Sequence, residues 1–181
     1  MLKDKTVVLG ITGGIAAYKA ADIASKLTQA GAMVETIMTD AATWFITPLT
    51  LRNITGRPVV TDMFEMESEF SVEHIALAEA ADVVLIAPAT ANTIAKIAAG
   101  MADNMLCSVV LATESPVIVA PAMNDVMYMN SITRENIAKL TARGFIMVEP
   151  EYGRLASGKT GQGRLADNDK ILAAVEKAAG G

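Results

Sequence analysis

The chain has 181 residues, which corresponds to one domain at about 150 residues per domain. A domain of this size buries about 70% of its unfolded surface, so it can fold without disulfides or a structural metal. One cysteine (Cys107) and one histidine (His74) are too few ligands for a structural zinc or iron–sulfur site. The net charge of −5 gives no electrostatic footprint for nucleic acid. The numbers of cysteine and histidine exclude a fold held together by a structural metal, and the net charge disfavours a nucleic-acid partner.

The hydrophobic fraction is 52% and the aromatic fraction only 4%, so we expect a core of aliphatic side chains and methionines. Apolar runs such as residues 83–88 are far shorter than the roughly 18 residues that a membrane span requires. The first ten residues lack the apolar core of a signal peptide. We therefore expect no membrane partner and a cytoplasmic location, which agrees with a lone cysteine.

In chain order, short β-branched runs alternate with longer Ala-rich stretches, which is typical of a parallel sheet covered by helices. Apolar residues at helical spacing between the first two strands, followed by Gly31, predict a crossover helix, and residues 169–181 predict a last helix. We predict an α/β fold, a three-layer, doubly wound, Rossmann-like sheet in a single domain over residues 1–181. Strands are predicted at residues 6–11, 33–38, 83–87, 117–120 and 145–148.

The two central runs, VVLIAPA and VIVAPA, are apolar without alternation, as expected of strands that are buried on both faces. Both end in Ala-Pro, where we expect the sheet to stop and a loop to begin. In an open α/β sheet, ligands bind beyond the carboxyl ends of the strands. The loops after the predicted strands are therefore the places where functional residues are expected.

The first of these loops contains Gly10, Gly13 and Gly14, where the first strand meets the first helix. Glycines there leave backbone N–H groups free to hold a phosphate, although they also suit an ordinary tight turn. The spacing is not the G-x-G-x-x-G of dinucleotide sites. After the second strand, Asp40 is placed to bind a ribose or, equally well, to cap a helix that begins after Thr39.

Residues 153–160 match the nucleotide-binding pattern G-x-x-x-x-G-K-[ST], but we reject that interpretation. Gly161 and Gly163 follow at once and disfavour the helix that the motif needs at its Lys-Thr. A mobile glycine-rich flap is the better prediction. Lys159 and Arg164 on this flap are candidates for contact with an anionic substrate, and the alternative is an ordinary solvated loop.

Polar side chains follow the two central strands. Thr90, Asn92 and Thr93 begin a predicted helix, and capping alone does not need all three. Asn124 stands at the mouth of the next buried strand. His74 is the only side chain whose unperturbed pKa lies near neutrality, so it is the candidate for proton transfer, and a surface position is the alternative.

Together these loops resemble the homo-oligomeric flavin-containing cysteine decarboxylases, most closely the branch that acts on phosphopantothenoylcysteine in coenzyme A synthesis. The segments that carry the resemblance are GITGGIAAYK at 10–19, His74, PATANTIAKIAAGMADN at 88–104, PAMNDVMY at 121–128 and SGKTGQGR at 157–164. The resemblance implies FMN as cofactor and a homotrimer, or a dodecamer of trimers, with FMN at a subunit interface. It also implies a fused phosphopantothenate–cysteine ligase domain in a longer bifunctional chain.

The resemblance assigns roles to the marked residues. FMN would be held by Gly13, Gly14, Ile15, Thr39, Asp40, Ala41, Thr90, Ala91, Asn92, Thr93 and Ala122. Substrate would meet Asn124, Met127, Lys159 and Arg164. His74 would be the base, Asn124 would bind the substrate carboxylate, and Ser157 takes the place of a family cysteine that acts as proton donor.

The implied reaction oxidises the substrate thiol with flavin, releases carbon dioxide and reduces the resulting enethiol, which gives 4'-phosphopantetheine from 4'-phospho-N-pantothenoylcysteine. A serine hydroxyl is a much weaker acid than a thiol of pKa about 8.5, so Ser157 affects the last step. The serine is an engineered change, a natural variant with another donor, or the mark of an enzyme that stops at the enethiol. Alternatives are a peptidyl-cysteine decarboxylase, a flavin prenyltransferase and a non-catalytic flavin-binding regulatory subunit.

Overall fold

The fold was analysed in a computed structural model, which describes residues 2–64 and 73–180. Its strands are β1 Thr6–Ile11, β2 Met33–Met38, β3 Val59–Val60, β4 Val83–Ala89, β5 Val117–Pro121, β6 Ile146–Met147, β7 Glu151–Arg154 and β8 Thr160–Arg164. Its helices are a 3-10 turn Ile15–Lys19, α1 Ala20–Gln29, α2 Asp40–Thr43, α3 Pro48–Thr55, α4 Glu73–Ala80, α5 Ala91–Ala99, α6 Met105–Ala112, α7 Asp125–Met129, α8 Ser131–Ala142 and α9 Asn168–Ala179.

Six strands form one parallel sheet in the order β3-β2-β1-β4-β5-β6. This is the doubly wound order, in which the chain moves outward in one direction from β1 and in the other from β4. β1, β4 and β5 are buried along their whole length, as their unbroken apolar runs predict. The predicted α/β, three-layer fold is confirmed.

Two apolar clusters cover the two faces of the sheet. Successive residues of β1 alternate between them, with Val7 and Leu9 in one cluster and Val8 in the other. The first cluster includes residues of α1, α3 and α9, and the second includes residues of α4, α5, α6 and α8. None of the helices in the described part of the chain is long and apolar enough to cross a membrane.

Both central strands extend beyond their predicted ends. β4 continues through Pro88 to Ala89, and β5 includes Pro121, which pairs with Ala89 after a shift of register. The expectation that the sheet stops at each Ala-Pro was therefore wrong. A proline lacks only the N–H donor, and its carbonyl still accepts hydrogen bonds, as Pro88 does from the backbone N–H of Thr12 at 3.3 Å.

The glycine-rich segment after β6 is an antiparallel hairpin formed by β7 and β8. β8 begins at Thr160, so no helix starts at the Lys-Thr pair, which confirms the rejection of a nucleotide-binding loop. Gly163 is left out of the strand pairing as the extra residue of a bulge and has a φ of 151°, which favours glycine. The predicted last helix is confirmed as α9, and Gly181 lies outside the described residues.

Candidate functional site

A cavity of about 1140 Å³ lies beyond the carboxyl ends of β1, β4 and β5. Its walls are the loops that follow these strands, the start of α2 and the turn between β7 and β8. β1 and β4 are the adjacent strands at which the sheet order reverses, which is where open α/β sheets bind ligands. The volume exceeds the range of about 300–1,000 Å³ that is usual for one small-molecule site, so it accommodates a cofactor and a substrate together.

The loop after β1 is fastened to the loop after β4 through Thr12. The buried Thr12 hydroxyl donates to the Pro88 carbonyl at 2.7 Å and accepts the backbone N–H of Thr90 at 2.9 Å. On its other side this loop lies directly against α2, because a Cβ on Gly13 would come within 2.3 Å of the Ala41 Cβ. Gly13 is therefore required for this close approach.

Thr39 presents an unsatisfied polar atom at the same wall. Its hydroxyl oxygen is buried and has no hydrogen-bond partner among residues 2–64 and 73–180. Because a buried polar atom without a partner costs about 1–3 kcal/mol, this hydroxyl suits a polar group of a bound ligand. The neighbouring Asp40 is exposed and lines the cavity, so its contact with a ribose stays a prediction. The N-cap of α2 is Thr39 and Asp40 is the first residue of the helix, so the predicted capping role of Asp40 was wrong.

Thr90 caps α5, and its hydroxyl accepts the backbone N–H of Thr93 at 3.3 Å. The same hydroxyl donates to the Thr93 hydroxyl at 3.2 Å. Helix capping thus accounts for these two threonines. The exposed Asn92 also lines the cavity, and capping does not use it.

Asn124 caps α7 in a way that orients its side-chain amide. Its Oδ1 accepts the backbone N–H of Val126 at 2.9 Å. With the oxygen committed to the helix, the Nδ2 group keeps two N–H donors for the cavity that Asn124 lines. An amide presented in this way is suited to binding a carboxylate.

The cavity lining also contains an ion pair, Lys96–Asp103, that the sequence did not predict. The Lys96 ammonium donates to the Asp103 carboxylate at 2.5 Å, and the Asn104 amide donates to the other oxygen of Asp103 at 3.2 Å. The Asn104 Oδ1 in turn accepts the backbone N–H of Cys107 at 2.9 Å and caps α6. Lys96, Asp103 and Asn104 all line the cavity.

The hairpin carries Ser157 in its turn, where the N–H of Leu155 donates to the carbonyl of Lys159 at 2.8 Å. Ser157 and Arg164 line the cavity, and so does Arg154, which the sequence did not single out. Lys159, predicted to meet substrate, is exposed and is not among the residues that line the cavity. The Arg164 guanidinium pairs with Asp167 at 3.3 Å.

The single histidine and the single cysteine of the sequence both lie outside the cavity lining. His74 is half-buried in the first turn of α4. Since α4 leads into the parallel strand β4, it begins at the same edge of the sheet as the cavity. Cys107 is buried in α6, and burial, followed by the nearby Asp103 charge, raises the pKa of its thiol. Cys107 is therefore not a substitute acid for the hairpin.

The structure brings together most of the predicted site residues and leaves out His74 and Lys159. The predicted residues that line the cavity are Gly13, Gly14, Ile15, Thr39, Asp40, Ala41, Thr90, Ala91, Asn92, Thr93, Ala122, Asn124, Met127, Ser157 and Arg164. Three features fit a phosphorylated cofactor with a substrate beside it. They are the buried Thr39 hydroxyl that lacks a partner, the close approach at Gly13 that only a glycine allows, and the volume of the cavity.

Among known sequences, the relatives of this chain include proteins of about its own length and proteins more than twice as long. The chain is 48% identical over 176 residues to the coenzyme A biosynthesis bifunctional protein CoaBC of Vibrio vulnificus, which covers 97% of the chain and 44% of that protein. It is 46% identical over 175 residues to a probable phosphopantothenoylcysteine decarboxylase of Streptococcus mutans, which covers 96% of the chain and 98% of that protein. The chain thus spans less than half the length of the bifunctional relatives that it matches.

Solved structures with the same fold include a cysteine-to-serine mutant of PPC decarboxylase complexed with pantothenoylaminoethenethiol. It superposes with a TM-score of 0.87 at 32% identity, covering 97% of this chain and 98% of that one. The FMN-dependent cysteine decarboxylase SpaF superposes with a TM-score of 0.86 at 31% identity, covering 99% and 97%. The model of the flavoprotein family matches residues 1–180. The chain belongs to the flavoprotein family.

Proposed function

We propose that the chain is an FMN-dependent decarboxylase that converts 4'-phospho-N-pantothenoylcysteine to 4'-phosphopantetheine in coenzyme A biosynthesis. The observation that carries the proposal is the single cavity that unites the glycine loop after β1, Asn124 after β5 and Ser157 on the hairpin. A relative named as a probable phosphopantothenoylcysteine decarboxylase matches the chain over nearly its whole length, which supports this substrate.

FMN is held in this proposal by the loops after β1, β2 and β4. The backbone of Gly13, Gly14 and Ile15 receives the phosphate, and the orphan Thr39 hydroxyl bonds to the cofactor. When bound, FMN supplies the oxidation and re-reduction between which carbon dioxide is lost. The FMN-dependent cysteine decarboxylase with the same fold supports FMN as the flavin.

Asn124 binds the carboxylate that is lost. Its Oδ1 accepts the N–H of Val126, so its two side-chain N–H groups remain available as donors to a ligand in the cavity that Asn124 lines. Hydrogen bonds from a neutral amide orient the substrate carboxylate. An arginine or lysine would instead form a full charge pair with the carboxylate and stabilise its negative charge, which the reaction has to remove. This choice of residue favours decarboxylation over simple carboxylate binding.

His74 is the proposed base, and we propose that a second copy of the chain supplies it. The cavity of one chain lacks this imidazole but is bordered by exposed apolar side chains, Ile15 (61% exposed), Tyr18 (61%) and Met127 (50%). An apolar border around a polar cavity is suited to burial between subunits. The homotrimer or dodecamer of trimers predicted from the resemblance would bring His74 of one subunit to the FMN of the next.

Ser157 occupies the place of a proton-donating cysteine, and its hydroxyl is a weaker acid than a thiol of pKa about 8.5. We therefore propose that reduction of the enethiol is slow and that some product leaves as the enethiol, in which case the two electrons taken from the substrate would stay on the flavin until molecular oxygen accepts them. This residue also favours the second candidate, a peptidyl-cysteine decarboxylase that ends at the enethiol. A cysteine-to-serine mutant of PPC decarboxylase has been found with an enethiol bound, which supports the link between this change and that product.

The test is to incubate FMN-loaded protein separately with phosphopantothenoylcysteine and with a peptide ending in cysteine, and to analyse products by mass. The proposal predicts loss of carbon dioxide from phosphopantothenoylcysteine, with thiol and enethiol products that differ by two hydrogens. Turnover of the peptide alone would select the second candidate. Turnover of neither by flavin-loaded protein would contradict both.

A further inference from the structure

The cavity is rich in positive charge although the chain as a whole is acidic. Four cationic side chains and two carboxylates line it: Lys19, Lys96, Arg154, Arg164, Asp40 and Asp103. The net charge of the whole chain is −5. An excess of cations in one cavity of an acidic protein indicates anionic ligands.

Two of the four cations are already neutralised within the chain. Lys96 pairs with Asp103 at 2.5 Å, and Arg164 pairs with Asp167 at 3.3 Å. Within the described ranges, neither Lys19 nor Arg154 has a carboxylate partner. Among the described residues that line the cavity, Asp40 is a carboxylate without an ion pair, and Lys19 and Arg154 are two positive charges without an ionic partner.

These two charges stand on different walls. Lys19 ends the 3-10 turn that follows the glycine loop after β1, beside the proposed position of the FMN phosphate. Arg154 ends β7 on the hairpin, which is attached to the loop after β5. Since β4 lies between β1 and β5 in the sheet, the two walls are about two strand spacings, or ~10 Å, apart.

We infer that Arg154 binds the phosphate of the substrate and thereby makes the site selective for phosphorylated over unphosphorylated pantothenoylcysteine, an inference that rests on the proposed function. The planar guanidinium has a fork of N–H donors that matches two phosphate oxygens. The sequence predicts that Lys159 and Arg164 bind an anion on the hairpin. Lys159 is outside the cavity lining and Arg164 already has an acidic partner, which leaves Arg154.

The length of the hairpin agrees with this assignment. At one end, the N–H of Met123, next to Asn124, donates to the Gly163 carbonyl at 2.9 Å. Arg154 pairs with Thr160, three residues before Gly163 in β8, so it lies ~10 Å farther along the strand. The substrate spans about four residue lengths between carboxylate and phosphate, or ~14 Å when extended. A carboxylate at Asn124 therefore leaves the phosphate within reach of the Arg154 side chain.

The first experiment compares Arg154→Gln, Arg154→Lys and a control, Arg143→Gln, in the FMN-loaded protein. Arg143 is an exposed arginine that follows α8 and does not line the cavity. We expect Arg154→Gln to raise KM for the phosphorylated substrate about 10- to 100-fold over the wild type. The KM for pantothenoylcysteine and the kcat values for both substrates should stay within about twofold of the wild-type values. Arg154→Lys should retain part of the affinity, and the control should change nothing. An equal change for both substrates, or a rise in KM with Lys159→Gln instead, would overturn the inference.

The second experiment needs no turnover, so it separates failure of the inference from failure of the proposed function. Calorimetry measures binding of 4'-phosphopantetheine and of pantetheine to wild-type protein and to Arg154→Gln. We expect wild-type protein to prefer the phosphorylated ligand at least tenfold and the variant to lose that preference, with FMN content unchanged by absorbance. Equal binding of the two ligands by wild-type protein would refute the phosphate site even if the decarboxylase assay succeeds.

Discussion

The backbone N–H of Met123 donates to the carbonyl of Gly163 at 2.9 Å, so the hairpin that carries Ser157 is hydrogen-bonded to the loop that carries Asn124. A Cβ on Gly163 would lie 2.2 Å from the Met123 carbonyl oxygen, so only glycine permits this contact. A Cβ on the nearby Gly161 would likewise lie 2.7 Å from the Asp125 Cβ. The glycines of β8 thus connect two parts of the proposed active site.

Gly163→Ala is expected to displace the hairpin, because the added methyl group cannot fit against Met123. Turnover should fall about 100-fold, the scale on which a misplacement of about 1 Å affects reacting groups, while FMN remains bound. Gly144→Ala is the matched control, since its φ is also positive, at 89°, but its Cβ would enter open space. The control should lose about 1 kcal/mol of unfolding free energy and keep its turnover. Equal turnover in the two variants would show that the close approach has no catalytic role.

Asn124→Asp separates the two roles of this residue. Aspartate caps helices as well as asparagine does, so the acceptor for the N–H of Val126 is kept and the melting temperature should change little. The amide N–H donors are lost, and a carboxylate would face the carboxylate of the substrate. We expect decarboxylation to fall by at least ~100-fold, as the loss of a charge-assisted bond combined with repulsion implies. Retained activity with unchanged stability would remove Asn124 from the proposed chemistry.

Ser157→Cys is expected to change the product rather than to abolish the reaction. A thiol of pKa about 8.5 is a far better proton donor than a serine hydroxyl, so the product should shift from the enethiol to the thiol. Mass analysis would show this as a gain of two hydrogens. Ser25→Cys, which places a thiol on α1 away from the residues that line the cavity, is the control and should give the wild-type mixture. Identical product ratios in the wild type and Ser157→Cys would show that residue 157 does not deliver the proton.

Asp82 gives a prediction about stability that is independent of the active site. The backbone N–H of Thr6 donates to one of its oxygens at 2.8 Å and Lys5 donates to the other at 2.9 Å. The Thr6 bond first, and then Lys5, hold the pKa of Asp82 below its ordinary value of 3.8. A depressed pKa contributes stability above the unfolded-state pKa, and this contribution is lost as the pH falls through the folded-state value.

Asp82→Asn should therefore lower the unfolding free energy at pH 7 by no more than about 1 kcal/mol, because the carboxylate is one-third exposed and solvent screens the pair. The difference from the wild type should shrink below pH 4. Urea denaturation at pH 7 and pH 3 measures both values. A difference that is the same at the two pH values would mean that the Asp82 charge contributes nothing.

The central strands and most residues of the cavity could be predicted because their signals are local. The runs of β4 and β5 are continuous and apolar, and the polar residues that follow them meet at one sheet edge by topology alone. The predicted strand at 145–148 is shorter in the structure, where only Ile146 and Met147 pair with β5. The end of a strand depends on which backbone hydrogen-bond partners the neighbouring strand provides. The sequence of one segment does not contain this information.

The hairpin strands and the Lys96–Asp103 pair could not be predicted for a different reason. β7 and β8 are rich in glycine and poor in β-branched residues, and their position depends on contact with residues 123–125. Lys96 and Asp103 meet only because the chain reverses at Gly100, whose φ is 72°. The base role of His74, the homo-oligomer, the cytoplasmic location and the fused ligase domain stay predictions.

Carbon dioxide released from phosphopantothenoylcysteine labelled in the cysteine carboxyl group measures the proposed decarboxylation directly. Purified protein with FMN bound, as judged by its absorption spectrum, is incubated with this substrate alongside Asn124→Asp. With molecular oxygen present to reoxidise any flavin left reduced by enethiol release, we predict several equivalents of labelled carbon dioxide per bound FMN from the wild type and almost none from the variant. No labelled carbon dioxide from wild-type protein that holds FMN would contradict the account.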